Sequence, residues 1–255
     1  MRKAIQVLIV IMILLSCGGM FSIFVVQVRD AANRAQCTNN LRQLALSIGT
    51  YHDCSGKFPP AAEENPDLPP EDRLSWIVGI WPFVEAGPLY SKMDHKKGWD
   101  AEENRFVFET VISILHCPGD PAPQRIGVPT PTWYVGITGI GTKAIDLPLK
   151  DGRAGVFGYE RSVRGEELKN RASSVLMLAE TSQVQGVWTA AGSPTARGLI
   201  PDGSPYLGVG GQFGGNHRRG ANVAFADGSV RFIEQSIDPS VWEATATLSG
   251  KGNQE

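Results

Sequence analysis

The hydrophobic pattern begins with a charge-free run near the N-terminus. Residues 7–26, VLIVIMILLSCGGMFSIFVV, contain no charged side chain. A helix rises about 1.5 Å per residue, so this run spans roughly 30 Å, the thickness of the hydrocarbon core of a bilayer. Arg2 and Lys3 precede the run, and the basic residue after it, Arg29, is offset by an acidic neighbour, so the positive-inside rule places the N-terminus in the cytoplasm. We expect residues 1–28 to form a single-pass membrane anchor with the remainder of the chain outside.

Two other interpretations of this run remain open. A cleaved signal peptide requires a small-x-small site after the apolar run, and none follows. A lipoprotein signal fits better, because a basic start and an apolar run lead into Ser16-Cys17, which would make Cys17 the lipid-bearing residue. The apolar run continues past Cys17, where a mature lipoprotein would turn polar, so the uncleaved anchor is preferred.

Beyond the anchor, the pattern changes to helical periodicity. Apolar residues recur at spacings of three, four and their sums, which places them on one face of a helix, and polar residues occupy the other faces. The apolar residues are Ala31, Ala35, Leu41, Leu44, Ala45, Ile48 and Tyr51. This predicts an amphipathic upper half of a helix over residues 29–55, continuous with the anchor because Gly18-Gly19 is tolerated inside a membrane helix. We expect one helix of roughly 45 to 50 residues, ended by Gly56 and the prolines that follow it.

Residues 56–255 alternate short apolar runs with turn residues and form the third expected part of the chain. A short helix is predicted to carry Trp76, Ile80 and Phe83 into the core, and residues 100–115 are compatible with another helix. Strands are predicted at residues 132–138, 155–159, 174–179, 186–189 and 221–233. Helices first and strands afterwards indicate an α+β fold, with one main domain outside the membrane.

The last predicted strand pair is joined by Asp227-Gly228, the two-residue signature of a type I′ hairpin. A two-residue loop pairs Phe225 with Val230 and puts four apolar side chains on one face of the sheet. These four side chains are Val223, Phe225, Val230 and Phe232.

His217 precedes this hairpin in NHRRGANVAFADGSVRFI, and it could in principle act together with Asp227. The strand between them covers roughly 20 Å, whereas the three residues after His217 can return only about 10 to 13 Å. We therefore expect separate structural roles, with Asp227 in the turn and His217 in a hydrogen bond near the far end of the strand.

Several stretches together resemble a known family. They include RDAANRAQCTNNLRQLALSIGTYHDCSGKFPP, LSWIVGIWPFVEAGPLY, HCPGDP, TWYVGITGIG, DGRAGVF, SSVLMLAE and NHRRGANVAFADGSVRFIEQSID. The chain resembles prepilin-like envelope proteins of unknown function whose C-terminal signature is an H-x(9)-D-G motif, here His217, Asp227 and Gly228. The resemblance implies a type IV pilin-like layout, in which a long N-terminal helix lies with its lower half in the membrane and packs its upper half on an antiparallel sheet.

The chain departs from that family pattern at its N-terminus. Counting back without gaps from Cys37 places Met1 where a prepilin has its cleavage glycine, and Gln6 where the mature protein has a glutamate. In pilins that glutamate is thought to neutralise the N-terminal amine of a neighbouring subunit within the membrane, where an unpaired charge is costly. Gln6 is neutral, so we expect no prepilin-peptidase processing and no polymerisation through the standard helix register.

The chain has four cysteines, of which Cys17 lies in the predicted anchor. Cys37 and Cys54 are roughly 25 Å apart along a continuous helix and cannot pair with each other. Cys117 could pair with either one in an oxidising compartment, and free thiols are an equal alternative. The resemblance favours Cys37 with Cys117, because both lie in stretches that match the family.

A structural zinc site could also be imagined from His52, Cys54, His116 and Cys117. Structural zinc sites usually place their ligands in pairs separated by two to five residues, whereas here one pair is adjacent and the other is separated by a single residue. We therefore expect no metal and no cofactor.

Glu180, at the end of an apolar strand, is expected to be buried and hydrogen-bonded rather than a general acid.

The remaining observations exclude two classes of function. Twenty-four basic and 26 acidic residues leave a formal charge of -2 without a basic patch, so no nucleic-acid partner is expected. No nucleophile motif or phosphate loop occurs, so the chain is not expected to be an enzyme. We expect a structural or assembly component of the envelope whose partners are the bilayer and pilin-like subunits or further copies of itself. The alternative is an anchored extracytoplasmic module that presents Trp81, Trp133 and Trp188 to a ligand.

Overall fold

The structure is a computed structural model that describes residues 2–84, 87–120, 125–183, 185–201, 205–215 and 217–252. Between residues 2 and 23, side chains are described only at Gln6 and Met12. Met1 and the side chain of Cys17 therefore lie outside the described part, whereas Gln6 is exposed. The helices are α1 Arg2–Ser55, α2 Trp76–Ile80, α3 Gly87–Tyr90, α4 Arg105–Phe108, α5 Gly165–Leu168 and α6 Pro239–Thr245.

Helix α1 is one continuous element of 54 residues, as the periodicity predicts. It ends at Gly56, whose φ of +73° is a left-handed conformation that glycine adopts without steric cost. The Gly56 N–H donates to the carbonyl of His52 at 2.7 Å and so satisfies one of the last helical acceptors. The predicted end of the helix is confirmed.

The membrane prediction falls largely outside the described side chains. Of residues 7–26, positions 7–11 and 13–23 have no described side chain. Within the described part of the chain, no helix has the length and apolar character needed to cross a membrane.

The upper half of α1 forms one wall of the core. Leu41, Leu44 and Ile48 are completely buried, on the face that the periodicity assigns to the core. The buried stripe begins only at Cys37, because Ala31 and Ala35 are exposed and precede the point where the helix meets the domain. The predicted amphipathic helix is confirmed from Cys37 onwards, and the two alanines are not part of its buried face.

The domain contains a five-stranded sheet of order β3-β1-β2-β4-β5. Its strands are β1 Tyr134–Ile140, β2 Leu176–Glu180, β3 Ala196–Leu199, β4 Gly220–Phe225 and β5 Val230–Glu234. Three of the pairings are antiparallel, but β1 and β3 are parallel, so the expected purely antiparallel sheet is wrong at this edge.

Strand prediction is accurate for the central strands and wrong at the periphery. Residues 155–159 are described and form no strand, and residues 186–189 contribute only an isolated bridge between Pro131 and Val187. Strand β3 was not predicted, because ARGL is short and carries no alternating apolar pattern. The predicted helix over 100–115 is also wrong as a single element. It divides into a 3-10 turn at Glu102–Asn104, the short α4 and a second 3-10 turn at Ser113–Leu115.

Both faces of the sheet are covered, which explains why every residue of β1, β2 and β4 is buried. One face packs against α1 and the short helix that carries Trp76 and Ile80, as predicted, whereas Phe83 is only partly buried. The other face packs against Trp242 of α6 and Phe213 of the glycine-rich loop. The sequences of the central strands are therefore nearly continuous apolar runs.

The predicted register of the last hairpin is wrong by one residue. Ala224 pairs with Val230, and the loop holds three residues, Ala226 to Gly228. Only Gly228 has a positive φ, of +82°, so the turn is a type I turn followed by a left-handed glycine instead of type I′. A slip of one residue exchanges the faces of a strand, so the four apolar side chains do not share a face. Val223 and Phe225 pack with α6, whereas Val230 packs with the side that α1 covers, and Arg34 of α1 lies over the ring of Phe232.

Candidate functional site

Four side chains with metal-binding or redox chemistry meet where α1 joins the sheet. They are Cys37 of α1, Cys117 in the loop before β1, Glu180 at the end of β2 and His217 just before β4. Each is at most 2% exposed. One nitrogen, sulfur or oxygen atom from each side chain lies within 4.8 Å of those of the other three. We call these four residues the junction cluster.

The distances within the junction cluster form a chain of close contacts. The Sγ atoms of Cys37 and Cys117 are 2.8 Å apart. The Sγ atom of Cys117 is 3.5 Å from Nε2 of His217, and the same Nε2 is 3.5 Å from Oε1 of Glu180. Both cysteines are present as free cysteines in the structure. The disulfide between them stays a prediction, for which the two sulfurs are correctly placed.

Asn40, one helical turn after Cys37, holds the Cys117 loop against α1. Its side-chain amide donates to the carbonyl of His116 at 3.0 Å and to the hydroxyl of Tyr134 at 3.3 Å. The Cys117 carbonyl accepts from the N–H of Asp120 at 2.9 Å, which closes a tight turn. The HCPGD sequence therefore presents its cysteine sulfur to the helix, because the backbone on both sides of it is fixed.

Glu180 is held from the neighbouring strand β4. The backbone N–H of Asn222 donates to Oε2 at 2.7 Å, and the Asn222 side-chain amide donates to Oε1 at 2.9 Å. The amide oxygen of Asn222 in turn accepts from the hydroxyl of Thr38 on α1 at 3.0 Å. A line of hydrogen bonds thus connects α1, β4 and β2 beside the two cysteines.

His217 enters the junction cluster from a tight turn. It forms an isolated bridge with Gly220, and Arg219 between them has a φ of +71°. The ring directs Nε2 towards Cys117 and Glu180, while Nδ1 is buried and has no hydrogen-bond partner within the described part of the chain.

Proximity changes the acid–base behaviour of these groups. The hydrogen bond with Cys117, together with burial, raises the pKa of Cys37 far above its ordinary value. The hydrogen bond from Cys37 lowers the pKa of Cys117 to about 6, against the effect of burial and with help from His217. Burial opposes the imidazolium of His217, but hydrogen bonds to Cys117 and Glu180 outweigh it and raise its pKa to about 10. The site therefore favours one thiolate and one imidazolium beside a buried carboxyl group.

A family model described as "Protein of unknown function (DUF1559)" matches residues 26–197 and 169–240. The chain belongs to this family. The matched ranges contain all four residues of the junction cluster together with Asn222, whereas residues 1–25 precede them. No curated protein and no solved structure matches the chain. The family description assigns no function, so the geometry of this member carries the functional argument.

The structure brings only some of the predicted site residues together. Cys37, Cys117 and His217 meet in the junction cluster, whereas Asp227 is at the far end of β4, where its Oδ1 accepts from the N–H and hydroxyl of Ser229 at 2.9 and 2.6 Å. His217 and Asp227 thus have separate positions, and the second and third motif residues, Asp227 and Gly228, form the turn.

The other imagined metal ligands are apart from the junction cluster. The ring of His52 packs on Phe58, Cys54 is exposed, and His116 packs edge-on against Trp133. Glu180 is the member of the cluster that sequence reasoning treated as purely structural. Its burial follows from the apolar strand, but its two partners could not be predicted, because His217 and Asn222 are 37 and 42 positions away in the chain.

The tryptophans proposed as a ligand surface are core residues. Trp81, Trp133 and Trp188 are 1%, 3% and 1% exposed, and the rings of Trp81 and Trp188 lie 5.1 Å apart inside the domain. These three tryptophans therefore do not form the exposed aromatic surface on which the binding-module alternative was based.

A second polar feature is an open cleft beside the end of α1. The cleft has a volume of about 450 Å³, and Tyr51, Glu63, Tyr90 and His95 are among the residues that line it. Nδ1 of His95 lies 2.9 Å from Oε2 of Glu63, and this hydrogen bond raises the pKa of His95. Both side chains are partly exposed, so the pair stabilises the cleft wall only weakly.

Proposed function

We propose that this protein is a single-pass membrane protein of type IV pilin-like design with a structural or assembly role in the envelope. The N-terminus lies in the cytoplasm, residues 7–26 cross the bilayer, and the domain formed by residues 56–255 stands outside. The H-x(9)-D-G motif serves the architecture of the domain: Asp227 and Gly228 make a turn, and His217 joins the cluster that holds α1 to the sheet.

The observation that carries this proposal is the division of α1 into two unlike halves. From Cys37 to Ile48 the helix is part of the core. Before Cys37 it extends for roughly 50 Å at 1.5 Å per residue, well beyond the domain it belongs to. Large apolar side chains on this part are exposed: Met12 by 62%, Phe24 by 63%, Val25 by 46%, Val26 by 52% and Val28 by 52%.

Apolar side chains that are exposed on a helix extending beyond its domain require something other than the domain to cover them. The charge-free residues 7–26 match the thickness of a bilayer, so lipid covers this part. The apolar positions Phe24 and Val28 are one turn apart, and the small exposed residues Ala31 and Ala35 continue that side of the helix. Small residues permit close approach of a second helix, so we propose that another copy of α1 packs there.

Membrane fractionation tests the anchor. The full chain is expected in the membrane pellet after alkaline carbonate washing. The double substitution Leu14→Lys and Leu15→Lys places two charges in the apolar run, each costing about 2.5 to 3.5 kcal/mol at a helix centre, and is expected to move the chain to the soluble fraction. Leu46→Lys, at a position on the same helix that is 71% exposed in the domain, is the matched control and should remain in the membrane.

Two results of this experiment contradict the proposal. Extraction of the unaltered chain by carbonate shows that the run is not an anchor. Loss of membrane attachment in Cys17→Ser, with the apolar run intact, shows that a lipid on Cys17 holds the chain in place of the helix.

Self-association is tested by photo-cross-linking in membranes. A photoreactive amino acid at Phe24 is expected to give a covalent dimer of the chain. The same amino acid at Ile126, a domain residue that is 92% exposed, serves as the control and should give none. Absence of a dimer from Phe24, with the chain in the membrane, rejects the proposed helix pairing and leaves the anchor intact.

A further inference from the structure

We propose that the junction cluster is a zinc site in which Cys37, Cys117, His217 and Glu180 bind one Zn²⁺ ion. Zinc in proteins takes four ligands from cysteine sulfur, histidine nitrogen and carboxylate oxygen in a tetrahedral arrangement. The cluster supplies two sulfurs, one imidazole nitrogen and one carboxylate oxygen, one from each residue. This inference does not depend on the membrane anchor.

Two of the distances in the structure already equal edges of such a tetrahedron. With bonds of about 2.3 Å to sulfur and about 2.0 to 2.1 Å to nitrogen and oxygen, the sulfur–nitrogen edge is about 3.5 Å and the nitrogen–oxygen edge is about 3.4 Å. The distance from Cys117 Sγ to His217 Nε2 is 3.5 Å, and that from His217 Nε2 to Glu180 Oε1 is 3.5 Å. The two sulfurs, now 2.8 Å apart, move apart by about 1 Å to reach the sulfur–sulfur edge.

The surroundings support the ligands as a metal site requires. Ligating carboxylates are normally held by further hydrogen bonds, and Asn222 supplies two to Glu180. Tyr134 hydrogen-bonds Cys37, and Asn40 holds both that hydroxyl and the carbonyl next to Cys117. Asn222, Tyr134 and Asn40 therefore position three of the four ligands, Glu180, Cys37 and Cys117, in the absence of an ion.

Charge distinguishes the zinc site from a disulfide between the same cysteines. Glu180 is 1% exposed, and His217, whose Nε2 is 3.5 Å from Oε1, is the basic side chain of the junction cluster that can compensate its charge. A disulfide is neutral and uses neither Glu180 nor His217, whereas a divalent cation binds both and also compensates the two thiolates. On binding, Zn²⁺ displaces two protons into solvent, one from the Cys37 thiol and one shared between Cys117 and His217, and no electron is transferred, so no oxidant is needed.

Such a site would hold α1 to the sheet. Its ligands come from α1, the loop before β1, β2 and the turn before β4, which are separated by 80, 63 and 37 positions along the chain. Because all four ligands are buried, the ion enters as the domain folds, and its binding free energy becomes folding free energy.

Metal analysis of the intact protein tests this inference. The full chain is purified in detergent from whichever cell fraction contains it, without added reductant or chelator, and zinc per chain is measured together with the mass of the polypeptide under denaturing conditions. One zinc ion per chain is expected, with a polypeptide mass that includes all cysteine hydrogens. A chain that lacks zinc overturns the proposal, whether Cys37 and Cys117 are joined as a disulfide, two hydrogens lighter, or remain free thiols.

Cobalt replacement reports thiolate ligation directly in the unaltered chain, and variants then identify the ligands. The full chain, unfolded and refolded in detergent with Co²⁺ and a reductant, is expected to show the strong visible absorption of tetrahedral Co²⁺ with thiolate ligands. Cys37→Ser and Cys117→Ser should each weaken and shift that absorption, while Cys54→Ser, at the exposed cysteine of the same helix, should leave it unchanged. An unchanged spectrum in Cys37→Ser overturns the assignment of the ligands.

Discussion

Asn222 donates two hydrogen bonds to Glu180, one from its backbone N–H at 2.7 Å and one from its side-chain amide at 2.9 Å. The carboxylate is 1% exposed and depends on these donors and on His217 for compensation. The pair joins β2 to β4 at the point where Thr38 of α1 reaches the same amide. It therefore links the sheet to the helix by hydrogen bonds alone, whether or not an ion is bound.

Removing the amide is expected to destabilise the domain. Asn222→Ala leaves one buried carboxylate oxygen without its side-chain donor, and hydrogen bonds to charged groups contribute about 1.5 to 3 kcal/mol. Urea denaturation of the detergent-extracted chain should show a loss of that size. Asn39→Ala, on an exposed position of α1, is the control and should change the unfolding free energy by less than about 0.5 kcal/mol. Equal effects of the two substitutions reject the role given to Asn222.

Two leucines on α1 test how the helix packs on the domain. Leu44 is completely buried, whereas Leu46 is 71% exposed, although both are in the same helix and two positions apart. Leu44→Ala removes buried methyl groups and leaves a cavity, so it should lower the unfolding free energy by about 2 to 5 kcal/mol. Leu46→Ala should change it by less than about 0.5 kcal/mol. Similar losses of unfolding free energy for both substitutions would indicate that α1 is rotated about its axis relative to the described packing.

The same substitution, glycine to alanine, tests the backbone conformation at two positions. An added Cβ meets no atom within 4 Å at either Gly49 or Gly228, but only Gly228 has a positive φ, of +82°. Gly228→Ala is expected to destabilise the chain by about 1 to 2 kcal/mol, because the left-handed conformation is strained for alanine. Gly49→Ala should stabilise it by about 0.8 to 1.0 kcal/mol, since alanine favours a helix interior. Thermal unfolding measures both, and effects of the same sign contradict the assigned conformations.

The pair of His95 and Glu63 predicts a weak dependence of stability on pH. The hydrogen bond to Glu63 raises the pKa of His95 above its ordinary value of 6.5. A raised pKa in the folded state means that the protonated form stabilises folding, fully below 6.5 and progressively less as the pH rises through the folded pKa. His95→Gln should therefore cost up to about 1 kcal/mol at acidic pH and almost nothing at alkaline pH. Urea titrations over this range measure the difference, and a cost that grows with pH contradicts the assigned ion pair.

The elements that could be predicted from the sequence are those whose signal is local. The length of α1, its end at Gly56 and the buried positions of Leu41, Leu44 and Ile48 follow from periodicity and one glycine. The three interior strands, β1, β2 and β4, are apolar runs and can also be predicted. The pairing of β4 with β5 is harder to predict, because Asp-Gly is compatible with loops of two and three residues, and the choice between them reverses the faces of the β5 side chains relative to Phe225.

The junction cluster could not be predicted, because its members are far apart in the chain. Spacing rules for zinc ligands argue against a site at His52 and Cys54, and they give no signal for ligands as far apart in the chain as those of the cluster. The true neighbours of Cys37 are set by the antiparallel pairing of β2 with β4 and by the loop that Asn40 holds. Local periodicity predicts β2 and β4 as strands but does not show that they are neighbours, so the topology that places Glu180 beside His217 was not available from the pattern.

Labelling of Cys54 in intact cells tests the central claim, an N-in anchor with the domain outside, most directly. Cys54 is exposed at the domain end of α1, while Cys37 and Cys117 are buried, so it is the natural target on the domain for a maleimide that does not cross membranes. We predict that the reagent, given access to the outer face of the cytoplasmic membrane, labels the unaltered chain and does not label Cys54→Ser. Labelling of Cys54 only after the membrane is ruptured would place the domain in the cytoplasm and contradict the account.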